Sequence, residues 1–549
     1  PGKTNKTLSG AVKDYWWWIS VGAAIFLVAA LFFTTNRGSL VGLAIGFFGG
    51  LLAVIFSAEK KTKYISGGIL LLGVGFVLLV ITVKPLQNQF PRLAGLLNAS
   101  QLTTGTGATR LMAWKIAYQG FKERPSWGWG EGNYTIIFNK YYNPDFLKFD
   151  FSETVWDKPH NWWLEIATSA GVLGLASYGA MLIVAGYSVL AKKNSRFSKL
   201  TGVVLAGTLL AYAVQLAFLF ETINSLLLFG FILAFISSNY FESPDTASNA
   251  RSSKLSFITY LIFPVLVLAL WKFNILPLRS SYFLSAAHGA SGASMWSKFV
   301  EKGLAVPVTF QAENGIFLAE RFIQLDKAGS PVTDPAVVAS AVQVAMLLDR
   351  EANLQTSNPL PLVWSGQIYM VLGEKVDEHY YAQAERDLTM ALERAPTKQE
   401  ILFFLGRLYI LKKDFVRALQ FQEQAVALAP TIGTSHWFLG LTAVASGDIK
   451  RGLGEIEEAI RLNYSLTLDR KLYIIDLYAG DKQYDKVVTW YRELIAEDPE
   501  NVTWYVKLAT TYAVMGKKTE ALTTVQQAVT MYPPLQSEAD KFIKQYHLR

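Results

Sequence analysis

The stretch DKPHNWWLEIATSAGVLG, residues 157–174, sets His160, Asn161 and Glu165 at the head of a long apolar run. His160 is the only histidine in the first half of the chain. A polar ring at the edge of an apolar run is either satisfied by a hydrogen bond or put to use. An imidazole titrates near neutrality and can take a proton from a hydroxyl. Two arginines stand in comparable places. Arg37 lies in TTNRGSLVGL between two apolar runs, and Arg110 opens the segment TRLMAWKIAYQGFKERPSWGWGEGNY. Arg37 has two readings. It is a snorkelling anchor for a helix end, or, beside Gly38 and Ser39, a fork for phosphate oxygens.

These residues need elements that bring them together. Apolar runs of the length needed to cross a bilayer, about 20 residues each, occupy about residues 16–34, 38–57, 64–83, 161–190, 200–219, 222–240 and 255–273. Basic residues cluster between them: Lys3, Lys6 and Lys13; Lys60, Lys61 and Lys63; Lys192, Lys193, Arg196 and Lys199; Arg251 and Lys254. If every run crosses, all these clusters fall on one side, which the positive-inside rule makes cytoplasmic. Arg37, the loop of residues 84–160, Glu221 and everything after residue 274 then lie on the outer face. The net charge of +8 is explained by membrane loops, so no nucleic-acid partner is expected. The chain has no cysteine, which excludes disulfides and thiolate metal sites. It begins at Pro1 with no cleavage site behind its first apolar run, so upstream sequence is expected to be missing.

The loop of residues 84–160 is too long for a connector. Leu111, Trp114, Ala117 and Tyr118 recur there at helical spacing. Gly128, Gly130 and Gly132 follow Pro125 with no strand before them and no helix opening on them. They read as a turn allowing close backbone approach, not as a nucleotide fingerprint.

Arg37 in its T-x-R-G context, Arg110 followed by Trp114 and P-x-x-G-x-G, and H-N-x-x-L-x-x-x-x-x-x-G-x-x-G from His160 to Gly174 together resemble the O-antigen ligase family. That family includes O-antigen polymerases and bacterial O-oligosaccharyltransferases. The resemblance covers about residues 15–240. Many members carry an acidic residue two before the first glycine of the histidine motif, where this chain has Ser169. Glu165, one helical turn earlier, is the candidate substitute. The resemblance implies transfer of a glycan from an undecaprenyl-pyrophosphate donor to an acceptor hydroxyl on a lipid, a protein or a growing glycan. It implies this at the outer face of the bacterial plasma membrane, with neither nucleotide nor metal. Arg37 and Arg110 would hold the pyrophosphate, and His160 would act as base, with Glu165 as a further catalytic candidate. Trp114, Asn161 and Glu221 are candidate substrate contacts. Trp162 and Trp163 read as interfacial belt residues, with sugar stacking as the alternative. Glu221 and Asn224 read as a solvated turn, with a polar substrate contact as the alternative.

Beyond residue 274 a period of about 34 residues appears, that of tetratricopeptide repeats. Leu405, Gly406, Tyr409, Ala418, Ala425 and Pro430 form one copy, and Leu508, Ala509, Tyr512, Ala521, Ala528 and Pro533 another. Leu439, Gly440 and Ala459 mark a weaker copy. Gly366, Tyr369, Ala384, Ala391 and Pro396 mark one with an insertion, and a degenerate copy ends at Pro499. Residues 280–355 read as further helices of similar kind. Stacked helix pairs make a solenoid that binds a protein partner. His288, His379, His436 and His547 lack ligand spacing and read as surface or packing residues.

The expected fold is all-α: a polytopic transmembrane helix bundle over residues 1–276, then an extracytoplasmic α-solenoid of tetratricopeptide type over 277–549. The alternative function is a non-catalytic membrane-anchored scaffold for envelope glycan assembly. A transporter is disfavoured because its charges belong near the bilayer midplane, whereas these lie at the boundaries.

Overall fold

The computed structural model describes residues 15–33, 37–57, 60–89, 105–149, 154–191, 197–238, 252–307, 312–355 and 357–548. The described residues form helices and turns with no strand, so the protein is all-α. The chain divides into two compact units, Pro1–Ile275 and Leu276–Arg549.

In the first unit each predicted apolar run contains a helix: α1 (Tyr15–Phe33), α2 (Arg37–Ser57) and α3 (Lys60–Thr82), then, after the short α4 (Lys84–Gln89), α5 (Gly105–Glu123) and α6 (Tyr134–Lys140) of the long loop, α7 (Trp162–Leu190), α8 (Lys199–Gln215), α9 (Ile223–Ser238) and α10 (Ser252–Leu270). Three stretches, Gly38–Phe56, Trp162–Leu190 and Ile262–His288, are long and apolar enough to cross a membrane. Trp18–Leu31, Thr62–Phe76, Lys199–Gln215 and Ile223–Ser238 are shorter apolar helices. The clustered residues Lys3, Lys6, Lys13, Lys192, Lys193, Arg196 and Arg251 lie outside the described residues.

Two expected runs differ in detail. The run expected to reach residue 219 ends as a helix at Gln215, because the chain tightens: Ala217 N–H donates to Val214 and Phe218 N–H to Gln215. The carbonyls of Leu216 and Leu219 then accept from the Trp162 N–H, at 2.8 and 3.0 Å. The run over 161–190 is not one straight rod. Gly171 sits at φ 67°, ψ −164°, a conformation open essentially to glycine alone, and breaks α7 into Trp162–Ala170 and Val172–Leu190. Sixteen residues of straight helix would separate Trp162 from Tyr178 by about 24 Å, yet their ring centroids are 6.4 Å apart. The halves therefore fold against each other, and a methyl on Gly174 would meet Ala170 and Ile166 of the first half. The second half has about the length of a span, near 30 Å.

Small residues let α2 and α8 meet closely. Gly42, Gly46 and Gly50 recur every fourth residue and face Gln215, Ala211, Gly207 and Val203. A methyl on Gly46 would lie 2.5 Å from the Gly207 carbonyl oxygen, and one on Gly42 would lie 2.6 Å from that of Ala211. This is the small-xxx-small packing of membrane helices, where backbone proximity replaces the hydrophobic effect. Leu182, Ala185 and Val189 of α7, Leu209 of α8 and Phe229 and Ile236 of α9 form a second apolar contact. The long loop has its own core of Ala113, Ile116, Ala117, Tyr134, Ile137, Phe138, Tyr142, Phe146 and Trp156.

The second unit is a stack of helix pairs: α11 (Leu276–His288) and α12 (Ala293–Leu304), α13 (Ala312–Lys327) and α14 (Pro335–Leu354), α15 (Leu360–Lys375) and α16 (Tyr380–Arg394), α17 (Gln399–Leu411) and α18 (Phe415–Leu428), α19 (Gly433–Ala445) and α20 (Ile449–Arg461), α21 (Leu468–Gly480) and α22 (Tyr484–Glu497), α23 (Val502–Val514) and α24 (Lys518–Met531), with α25 (Gln536–Gln545) at the end. The small repeat residues have a steric reason. Ala384, Ala391, Ala418, Ala425, Ala459 and Ala521 are fully buried, and a methyl on Gly406 would collide with Gln422. His436 is a packing residue, its ring bridging Glu455 and the Pro430 carbonyl at 2.7 and 2.9 Å.

Candidate active site

The site is assembled around the head of α7. His160 adopts φ +54°, unusual for a residue with a side chain. Its Nδ1 lies 3.3 Å from the Lys158 carbonyl oxygen, and a proton on Nδ1 makes Nε2 the basic nitrogen of the neutral ring. The ring is half-buried between Trp156 and Phe220, with centroids at 4.9 and 5.2 Å, both edge-on. One residue before it, the Pro159 carbonyl accepts a 2.9 Å hydrogen bond from Trp114 Nε1. Trp114 therefore ties α5 to the backbone that carries the histidine. Arg110, half-buried, stands one turn earlier on the same side of α5.

Asn161, read as a possible substrate contact, is the N-cap of α7, its Oδ1 accepting from Leu164 N–H at 3.2 Å. Glu165 follows one turn on, 1% exposed, and its Oε2 has no hydrogen-bond partner among the described residues. Glu131, Lys158 and Asp157 are the charged groups that act on it. Within reach of the Glu165 charge is Tyr134, whose phenol donates to the Ala113 carbonyl at 2.7 Å. Burial first, and then the Glu165 charge, push the Tyr134 pKa well up.

The glycine turn docks onto the break in α7. Trp129 N–H donates to Thr168 O at 2.8 Å and Gly130 N–H to Ser169 O at 2.9 Å, while Val172 N–H donates to Pro125 O at 2.7 Å. The loop backbone thus takes up polar groups that the broken helix frees. A methyl on Gly128 would overlap the Ser169 backbone, and one on Gly171 the Ser126 backbone, so close approach is what these glycines provide. Arg124 stacks 3.9 Å over the Trp129 ring, and Trp129 Nε1 donates to Gly120 O at 2.9 Å, closing the loop onto α5.

Glu221 is not a solvated turn residue. It is half-buried and accepts from Tyr212 OH at 2.5 Å, and Tyr212 OH lies 3.1 Å from Tyr178 OH. Trp163 also has a packing role, donating to Ala213 O at 3.0 Å within the α7–α8–α9 contact. The backbone of Arg37 opens α2; its side chain lies outside the described atoms. Gly42, five residues on, packs at Gln215, so the start of α2 falls at the end of α8, just ahead of the turn that carries Phe220 and Glu221. Sequence reasoning missed Lys158, whose ammonium lies 5.1 Å from the Phe220 ring, on the strip that also carries His160. Its place in D-K-P-H-N was the available signal.

Residues 22–179 match the family described as O-antigen ligase, and residues 375–431 match a tetratricopeptide repeat. No curated protein matches the chain. Among solved structures, the chain is similar to YrrB, a repeat protein titled as having an unusual peptide-binding site, at 17% identity over 37% of this chain and 99% of that one, TM-score 0.28. It is similar to MamA at 20% identity over 29% and 91%, TM-score 0.24. It is also similar to a tetratricopeptide repeat protein of Parabacteroides merdae at 14% identity over 50% and 99%, TM-score 0.31. The chain therefore joins an O-antigen ligase domain, of the kind found in membrane enzymes that process glycans, to a helical domain of tetratricopeptide repeats.

Proposed function

We propose that the protein transfers a glycan from an undecaprenyl-pyrophosphate carrier to an acceptor hydroxyl at the outer face of the bacterial plasma membrane. His160 Nε2 takes the acceptor proton, and the oxygen attacks the anomeric carbon. The bond from that carbon to the pyrophosphate oxygen breaks, and the carrier pyrophosphate leaves with the electron pair. Arg37 and Arg110 hold the charge that develops on that leaving group. Glu165, buried one turn below the histidine, is the second acid–base candidate. Asn161 and Trp114 act by setting the histidine backbone, and Glu221 lines the same end of the bundle. The repeat domain, on the outer side, recruits a protein partner.

The observation that carries this reading is the fixed posture of His160. A left-handed backbone is held on one side by the Trp114 bond to Pro159 and on the other by the Asn161 cap. A proton acceptor must be aimed, and these two hydrogen bonds fix the backbone from which the ring projects. The test is glycan transfer in proteoliposomes supplied with lipid-linked oligosaccharide and acceptor. His160→Ala is expected to lower turnover by roughly a hundredfold to ten-thousandfold. His160→Asn, which keeps a hydrogen bond but takes no proton, should fall as far. Near-normal turnover of the asparagine variant would remove the base role and pass it to Glu165.

A further inference from the structure

The helix α5 turns a second face outward that the transfer chemistry does not use. Thr109, Ala113, Ile116, Ala117 and Gly120 form its buried side. Leu111, Lys115, Tyr118 and Lys122, spaced by four, three and four residues, form one exposed stripe on the other. Lys122 Nζ lies 4.9 Å over the Tyr118 ring. The stripe carries two ammonium groups and no carboxylate. At the end of α5 the loop adds Trp127, 78% exposed. Its neighbours Pro125 and Ser126 sit against Gly171 and Val172 of α7. Val172 and Leu173, each 49% exposed, begin the apolar outer surface that continues through Ile183, Val184 and Tyr187. The exposed Trp127 thus follows directly on the loop backbone that meets α7 at Gly171 and Val172, where the exposed apolar face of its second half begins.

We infer that this stripe is a membrane-surface plate. Leu111, Tyr118 and Trp127 enter the headgroup region of the outer leaflet, and Lys115 and Lys122 reach the phosphates of anionic phospholipids. Aromatic rings and long basic side chains share one strip, the composition suited to a boundary that is apolar below and anionic above. Continuity with the exposed face of α7 selects the bilayer over a protein as the occupant. The plate fixes the depth of α5, and with it the height of Arg110 and Trp114 above the lipid. The inference rests on reading Val172–Leu190 as membrane-crossing.

The chain has no native cysteine, so single cysteines at positions 118, 127 and 184 of the full protein can each carry one environment-sensitive fluorophore in proteoliposomes. Labels on Tyr118→Cys and Trp127→Cys are expected to lose more fluorescence to lipids bearing a headgroup-level nitroxide than to aqueous iodide. A label on Val184→Cys should be quenched best by a mid-chain nitroxide. With Lys115→Glu and Lys122→Glu added, the label at 118 should shift toward iodide quenching in vesicles containing phosphatidylglycerol, and shift less in vesicles of phosphatidylcholine alone. Iodide-dominated quenching at 118 and 127, with 184 still lipid-quenched, would overturn the plate and leave a water-facing surface. Loss of lipid quenching at 184 as well would overturn the membrane-crossing reading of α7 itself. An equal response of the double-glutamate protein in both lipids would overturn the anionic-lipid contact.

Discussion

Replacing Gly171 by alanine tests the architecture that holds the site. The added methyl would overlap the Ser126 carbonyl, which is backbone and cannot rotate away, and φ of +67° with ψ of −164° is closed to alanine. The loop must therefore leave the helix break. Its three hydrogen bonds, from Trp129, Gly130 and Val172, contribute about 1 kcal/mol each. Any φ/ψ strain that persists adds about 1–3 kcal/mol. A loss of about 3 kcal/mol corresponds to roughly a hundredfold change in a local opening equilibrium. Hydrogen exchange followed by mass spectrometry should show the amides of residues 129, 130 and 172 exchanging about a hundredfold faster. Transfer should fall with them, because the same loop closes onto α5 and so onto Trp114. Gly179→Ala is the control: nothing lies within 4 Å of its added methyl, and its effect should stay within about 0.5 kcal/mol. Unchanged protection of those three amides in Gly171→Ala would refute the docking account.

Other substitutions separate the remaining roles. Arg37→Ala and Arg110→Ala should each cripple transfer while leaving the protein in the membrane, with lysine rescuing only partly because the bidentate fork is lost; full activity of both alanine variants would end the phosphate-clamp argument. Trp114→Phe keeps the ring and removes one bond worth about 1 kcal/mol, so turnover should drop several-fold with KM little changed, and a changed KM alone would contradict a positioning role. In the repeat domain, burial first and the Asp349 charge second raise the pKa of Asp387 to about 7. The unfolded value is about 3.9, so the folded state binds the extra proton between those limits and stability falls as pH rises from about 4 to 7. Asp387→Asn should flatten that part of the Tm-against-pH curve of the whole protein, and an unchanged slope would exclude Asp387 as its source.

The repeats were legible because their signal is steric. Gly406, Ala418 and Ala425 recur where two helices touch, and only small residues fit there at any twist of the stack. The apolar runs were legible for the complementary reason, since hydropathy reports what surrounds a helix. It does not report backbone angles. The run from 161 to 190 therefore read as one span, although Gly171 breaks it and Gly174 lets its halves close. The spacing of Gly171 and Gly174 was visible in the motif; its meaning needed the loop from Pro125 to Gly130, some forty residues earlier in the chain. The hydrogen bond from Trp114 to Pro159 spans 45 residues and joins an amphipathic helix to a proline carbonyl, and nothing local in either segment announces it. Glu221 read as solvated because its partner Tyr212 lies on the preceding helix, inside an apolar run.

The head of α7 has an electrostatic consequence. A helix N-terminus normally offers its first N–H groups, and the positive end of its dipole, to a phosphate. Here the Trp162 N–H is spent on the carbonyls of Leu216 and Leu219, and the Leu164 N–H on the Asn161 side chain. The positive pole of α7 is thus set against the negative pole of α8, and each offsets the other. Less field from the helix ends then remains for the pyrophosphate of the proposed donor. In the proposed reaction that charge falls mainly to side-chain cations, so exchanging Arg37 or Arg110 for a neutral residue should not be made good by the head of α7.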